Sequence, residues 1–304
     1  MKPLTRRLRE ISQLVSTILS IDEKFDEIKI NQGLILTLMH ERQAAKNLMD
    51  YEFKIFSQWG EDGIIQHLCK SVAIKNRTFI EFGVECFFES NCRFLQMKDN
   101  WSGFVMDGSL ENIRKLKSSY FYWKYDLQAI AAFVTRENIN DLLAQSGFDE
   151  DLGILSIDLD GNDYHILDAI THFKPRILIC EYNSVFGEVR KISIPYDAAF
   201  NRTRGHYSNL YFGASLAAIT HLANIKGYSL VGTNSAGGNA FFVRNDLVTD
   251  KVTAVTSAEA YFPSHLRESR DAKGHLTHVA GSERLKVIQG LPVLNVETGT
   301  IEIL

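Results

Sequence analysis

The chain has 304 residues, 45% of them hydrophobic and 23% charged, with a formal net charge of -4 and a sequence pI near 6.2. At roughly 100–200 residues per domain this is one large domain or two modest ones. The apolar content excludes disorder as the main state, and the acidic balance argues against a strongly basic nucleic-acid binder. Cys69, Cys86, Cys92 and Cys180 show no CxxC spacing, so they signal neither a zinc knuckle nor a disulfide framework. No apolar run approaches the ~18 residues of a transmembrane segment. Asp22, Glu23, Asp26 and Glu27 follow the first apolar stretch without a signal-peptide cleavage site. A reduced cytoplasmic protein is expected.

Residues 1–50 read as a helical, coiled-coil-like extension. Leu4, Leu8, Ile11, Val15 and Ile18, then Ile21, Phe25, Ile28, Gln32, Ile35 and Met39, recur in steps of four and three. One repeated three-step between Ile18 and Ile21 makes this a heptad seam with a stammer. A homo-oligomer, or a partner protein docked on this helix, is one expectation. Packing on the chain's own domain is the other, favoured in the second half by Gly33, Leu34, Leu36 and Leu38. Binding to a membrane surface through Arg6, Arg7 and Arg9 ranks last.

From about residue 51 strands alternate with helices. Ser57 reads as the N-cap of a helix carrying Ile64, Ile65 and Leu68. Strands are expected at 78–82, 103–106, 120–125, 153–157 and 176–180. Helices are expected around 91–97, Ile113 and Leu116, 133–143, Ile166 to Ile170, and 213–226. Two last strands, 228–231 and 240–243, flank a Gly-rich turn and form an antiparallel hairpin. The pattern predicts an α/β fold: a Rossmann-like, seven-stranded, mostly parallel sheet with an antiparallel final hairpin. The sheet domain is assigned to 51–249, and 250–304 form a C-terminal extension.

In open parallel sheets ligands bind beyond the carboxyl ends of the strands. An acid stands at each of the first five predicted ends: Glu81, Asp107, Asp126, Asp158 with Asp160, and Glu181. The Glu81-Phe82-Gly83 turn lacks the GxGxxG pattern of dinucleotide sites. An acid after the second strand suits ribose hydroxyls, so the expected ligand is a nucleoside without phosphates, and a positively charged centre would tolerate the carboxylates.

Ser57-Gln58-Trp59-Gly60-Glu61-Asp62-Gly63, Phe79 to Gly83, Ser90-Asn91, Trp101-Ser102-Gly103 with Asp107, and Ile157 to Tyr164 together resemble FkbM-type S-adenosylmethionine-dependent methyltransferases over roughly residues 52–245. The resemblance implies that Glu81 and Gly83 line the methionine side of the cofactor and that Ser90 and Asn91 close that end. Asp107, in the turn Asp107-Gly108-Ser109, would hold the ribose, Asp126 would approach the adenine amino group, and Gln58 would lie on a lid. Two departures stand out: the bulky run Val84-Glu85-Cys86-Phe87-Phe88 in place of a glycine-rich continuation, and Asp-Gly-Ser where many relatives have Glu-Pro.

Methyl transfer to a hydroxyl needs an in-line approach and a proton acceptor or a metal. Asp158, Asp160, Glu181 and Asn183 offer oxygen ligands suited to Mg²⁺ or another divalent cation, although a plain turn and helix cap is the favoured reading of Asp160-Gly161-Asn162-Asp163. Asp158, Asp160 and His206 are the candidate catalytic groups. His165 reads as a helix-surface residue. Arg190, Lys191, Arg202 and Arg204 read as a solvated loop, the alternative being that the arginines grip an acidic sugar or a phosphate. His265, His275 and His278 read as non-ligands. Tyr120 to Trp123 read as a buried strand, and Tyr182 and Phe186 are weak candidates to flank the acceptor. The expected activity is O-methylation of a sugar, a glycan or a glycosylated natural product, the substrate class resting on the resemblance alone. The alternatives are methylation of nitrogen or a carboxylate, and a non-catalytic scaffold, which the bulky run after Gly83 keeps open.

Overall fold

The computed structural model describes Thr17 and residues 20–42 and 47–304. Leu4, Leu8, Ile11, Val15 and Ile18 of the heptad seam lie outside the described residues. The seven-stranded sheet comprises β1 (Thr78–Phe82), β2 (Ser102–Asp107), β3 (Leu127–Ala131), β4 (Ile154–Ile157), β5 (Ile177–Glu181), β7 (Tyr228–Thr233) and β8 (Asn239–Arg244), in the order β3-β2-β1-β4-β5-β8-β7. β1 to β5 are parallel, and β8 runs antiparallel between β5 and β7. This is the expected fold class.

The strands are nearly continuous apolar runs because both faces are covered. Alternation sends Ile80 and Phe82 of β1 into one core layer and Phe79 into the other. Helices α1 (Ile21–His40), α2 (Glu61–Ser71), α3 (Arg93–Asp99), α4 (Leu110–Ser118), α5 (Tyr120–Lys124), α6 (Ile139–Ala144), α7 (Asp163–Ala169), the single turn α8 (Arg202–Gly205) and α9 (Leu216–Ile225) complete the main body. Ser109 and Ser215 cap α4 and α9, accepting from the Asn112 and Ala218 amides at 3.2 and 3.1 Å. Ser57 lies one turn too early for that role at α2, whose N-cap is Gly60. Its hydroxyl donates instead to Asp62, at 2.8 Å.

One strand falls elsewhere than the sequence predicts. Tyr120–Lys124 is helical, and β3 starts at Leu127. In a strand, Phe121 and Trp123 would share a face; here Phe121 is fully buried while Trp123 is 76% exposed, which a helical turn permits and a strand does not. The predicted 133–143 helix shortens to α6, which leaves Phe133 and Val134 in the loop after β3.

The last fifty residues add a second, three-stranded sheet. β9 (Pro292–Asn295) pairs with both β10 (Thr300–Ile303) and β6 (Ile192–Ser193), over a core of Phe186, Ile192, Ile194, Tyr211, Ile288 and Val293. The tail is tied to the main sheet by Thr233 Oγ1 donating to the Ala260 carbonyl at 2.5 Å and Tyr182 Oη to the Phe262 carbonyl at 3.1 Å. Among the described residues, no helix is long and apolar enough to cross a membrane.

Candidate functional site

A cleft of about 960 Å³ opens along the carboxyl ends of the parallel strands. Its floor begins where β1 ends. Glu81 is buried and accepts from Ser90 Oγ at 2.7 Å, the Asn91 amide at 2.8 Å and the Cys92 amide at 3.1 Å. Burial, the larger influence, pushes the carboxyl above its usual range, against these hydrogen bonds. Glu81 therefore folds the loop from Gly83 to Cys92 back onto the strand end. Gly83 is required on two counts: its φ is +67°, and a Cβ there would stand 1.8 Å from the Asp158 carbonyl oxygen. Without a side chain, the β1 turn closes against the end of β4.

The bulky run after Gly83 does not fill the cleft. Val84 and Phe87 are buried in the core, with the Phe87 ring stacked on Phe79 at 6.4 Å. The run's contribution to the site is a backbone amide: Glu85 N donates to Asp107 Oδ2 at 2.9 Å. Asp107 Oδ1 accepts from the Ser109 amide at 2.7 Å and from Asn112 Nδ2 at 3.2 Å. Asp107 is thus clamped from both sides at the end of β2, on the cleft wall beside Gly108. Ser109 acts behind it as helix cap and amide donor and does not line the cleft.

Phe133 and Val134 line the same half of the cleft, after β3. Asp126, expected there, precedes β3 at the opposite end of the sheet, where its carbonyl accepts from the Gly103 amide and Gln96 Nε2. The misplaced third strand is the reason. Gln58 and Trp59 lie at the rim. Glu61, the next acid along, accepts from Trp59 N at 2.8 Å and from the side-chain amides of Asn234 and Asn239 at 2.7 and 2.9 Å, pinning that loop to the hairpin turn.

The second half is built on carboxylates. Single oxygens of Asp158, Asp163 and Glu181 lie within 4.8 Å of one another. Asp163 holds the turn, accepting from the Leu159 and Gly161 amides at 2.7 and 3.0 Å, and burial pushes its carboxyl up to about 6. Asp158 and Glu181 are half-buried, and Glu181 keeps one buried oxygen with no hydrogen-bond partner. Both carboxyls are pushed well above the usual range, by burial first and then by repulsion from neighbouring acids. Arg202 of α8 opposes that repulsion. Its Nη1 reaches Asp160 Oδ1 at 2.6 Å, and its guanidinium lies 3.9 Å from the centre of the Phe212 ring.

Several of the sequence-predicted residues have other partners here. Asp160 is exposed, at φ +53°, and paired with Arg202. Asn183 is occupied by the backbone, donating to the Leu210 and Phe212 carbonyls at 2.9 and 3.0 Å and accepting from the Val185 amide at 3.0 Å. His206 does not line the cleft; its Nδ1 pairs with Ser208 Oγ at 2.7 Å. His165 is a buried structural residue, Nε2 lying 2.8 Å from the Ile194 carbonyl oxygen. Arg190 and Lys191 pair with Glu302 and Glu297 of the tail at 2.8 and 2.7 Å. Sequence reasoning missed Asp163 as a member of the acid cluster, although it stands in the same Asp158–Asp163 run. It also missed the strap Ser264 to Glu268, which borders the cleft and is held by Arg284 donating to the Ser264 and Leu266 carbonyls at 2.5 and 2.9 Å. No local signal marks either the strap or Arg202, because both reach the cleft only through tertiary packing.

No protein-family model matches the chain, and comparison with curated proteins finds no match. Among solved structures, the N-terminal domain of EvdMO1 with SAH bound aligns at TM-score 0.37 and 9% identity, over 60% of this chain and 79% of that one. The fibrillarin pre-rRNA processing protein of Methanococcus jannaschii aligns at 0.38 and 8%, over 67% and 86%. A SAM-dependent methyltransferase from Aquifex aeolicus aligns at 0.31 and 8%, over 59% and 87%.

Proposed function

We propose that residues 51–249 form a cytoplasmic S-adenosylmethionine-dependent O-methyltransferase, acting on a hydroxyl of a sugar, a glycan or a glycosylated natural product. The observation that carries this reading is the pairing, in one cleft, of a clamped acid at the end of β2 with two acids of raised pKa at the ends of β4 and β5. The sugar class is supported by the FkbM-type resemblance of the motifs from Ser57 to Tyr164. The cofactor fits the residues present. Asp107, oriented by three donors, keeps one of its roughly four acceptor sites, on Oδ2, for a ribose hydroxyl. Gly83 lines the cleft next to Glu81, and a volume of about 960 Å³ can house a nucleoside with an acceptor beside it.

When bound, the cofactor supplies an electrophilic methyl group on a positively charged sulfur. The chain's own residues do the rest. Asp158 and Glu181 face the acceptor side, and the ionised pair takes the proton from the attacking hydroxyl. Arg202 limits the repulsion between them, and the strap Ser264 to Glu268 borders the cleft. A second reading is favoured by the three-carboxylate cluster: Asp158, Asp163 and Glu181 would hold a divalent cation that raises the hydroxyl's acidity.

Calorimetric titration of S-adenosylhomocysteine into wild type and Asp107→Ala tests the cofactor site. Binding in the micromolar range is expected, weakened ~10–100-fold in the variant by the loss of a charge-assisted hydrogen bond. No binding to wild type would refute the enzyme reading. Transfer to sugar acceptors with and without Mg²⁺ then separates the base from the cation.

A further inference from the structure

Helix α1 presents two opposite faces. Asp26, Ile30, Gly33 and Thr37 turn toward the chain's own domain. Arg93 meets Asp26 at 2.5 Å and lies among the rings of Phe56, Phe88 and Phe121, and Tyr120 Oη donates to the same carboxylate at 2.6 Å. At Gly33 a Cβ would stand 2.4 Å from the Phe94 ring and 3.0 Å from Ile55, so the helix is seated as closely as backbone allows. With Phe25 and Gln32 assigned to heptad position a, these inward residues fall at b and f.

The a and d positions therefore face away from the domain. Phe25, Ile28, Ile35 and Met39 are 59, 62, 60 and 61% exposed, with Ile21 and Leu38 beside them. Monomeric proteins rarely leave such a contiguous apolar strip in water. We propose that a second copy of this chain covers it, α1 packing on its counterpart as a coiled coil. The surface that complements an a/d seam is another a/d seam, since both repeat every 3.5 residues. In sequence, Leu4, Leu8, Ile11, Val15 and Ile18 carry the same steps of four and three on the other side of the stammer. Gln32, the polar residue at an a position, is the kind of residue that sets register at a cost in affinity. An anionic lipid surface is the poorer fit, because Asp22, Glu23 and Glu27 flank the strip.

Sedimentation velocity and light scattering of the full chain at about 1–50 µM read this directly. Wild type is expected as a dimer or a larger symmetric oligomer. The double variant Ile28→Glu with Ile35→Glu is expected to weaken association at least ~100-fold, with its circular dichroism and thermal transition preserved. Gln32→Leu, which does not threaten the fold, is expected to tighten it several-fold. A monomeric wild type over the whole range, or Gln32→Leu without effect, overturns the proposal. So does a monomer that floats with phosphatidylglycerol vesicles through this strip. Mass and ligand binding are separate readouts, so failure of the proposed activity leaves this test intact.

Discussion

Glu181 carries an unpartnered buried oxygen beside Asp158, and its carboxyl is raised by burial first and by the Asp158 charge next. A base with a raised pKa is inactive in acid, so the rate of methyl transfer should climb as pH rises through the pair's pKa. Asp158→Asn removes the largest charge repulsion on Glu181, so the acidic limb should move to lower pH, while kcat falls by about 10²–10⁴. A pH–rate profile of both proteins checks this; a limb that stays in place would mean the two carboxylates do not share the proton. At this scale the sequence was partly legible. Glu81, Asp107, Asp158 and Glu181 could be placed because each sits at or next to the carboxyl end of a strand. Asp126 could not, because an aromatic run that reads as a strand folds as a helix.

Helix α1 shows what an element's pattern can and cannot express. Its heptad spacing is visible in sequence, and so are the residues that dock it, yet a periodicity does not say which of two apolar faces meets the domain. The Asp26–Arg93 pair decides that. Both side chains are nearly fully buried, so removing one leaves an uncompensated charge in the interior. Asp26→Ala should cost about 3–5 kcal/mol in denaturant unfolding, far more than the removal of an exposed pair such as Glu111–Lys115. An effect below ~1 kcal/mol would show that α1 is held by its apolar contacts alone.

For the whole molecule, the C-terminal extension matters most. It supplies a strand partner for β6, closes a small core through Ile288 and Val293, and brings Ser264 to Glu268 and Arg284 to the cleft. Deletion of residues 250–304 should therefore lower stability by at least about 5 kcal/mol, or more than ~10 °C in Tm, through lost burial and strand pairing. A calorimetric scan that leaves Tm in place would instead make the tail an independent appendage.

What the sequence by itself determined was the alternation of strands and helices, the antiparallel hairpin at the end, and four of the acids at one edge of the sheet. These follow from local periodicity and from the position of turns, which nearby residues dictate. Only the tertiary structure decided that Asp163 joins Asp158 and Glu181, that Arg202 pairs with the neighbouring Asp160 while His206 stays off the cleft, and that the tail borders it. Those contacts join segments distant in the chain. They are set by how layers of side chains pack and how buried charges are compensated, which no local pattern encodes.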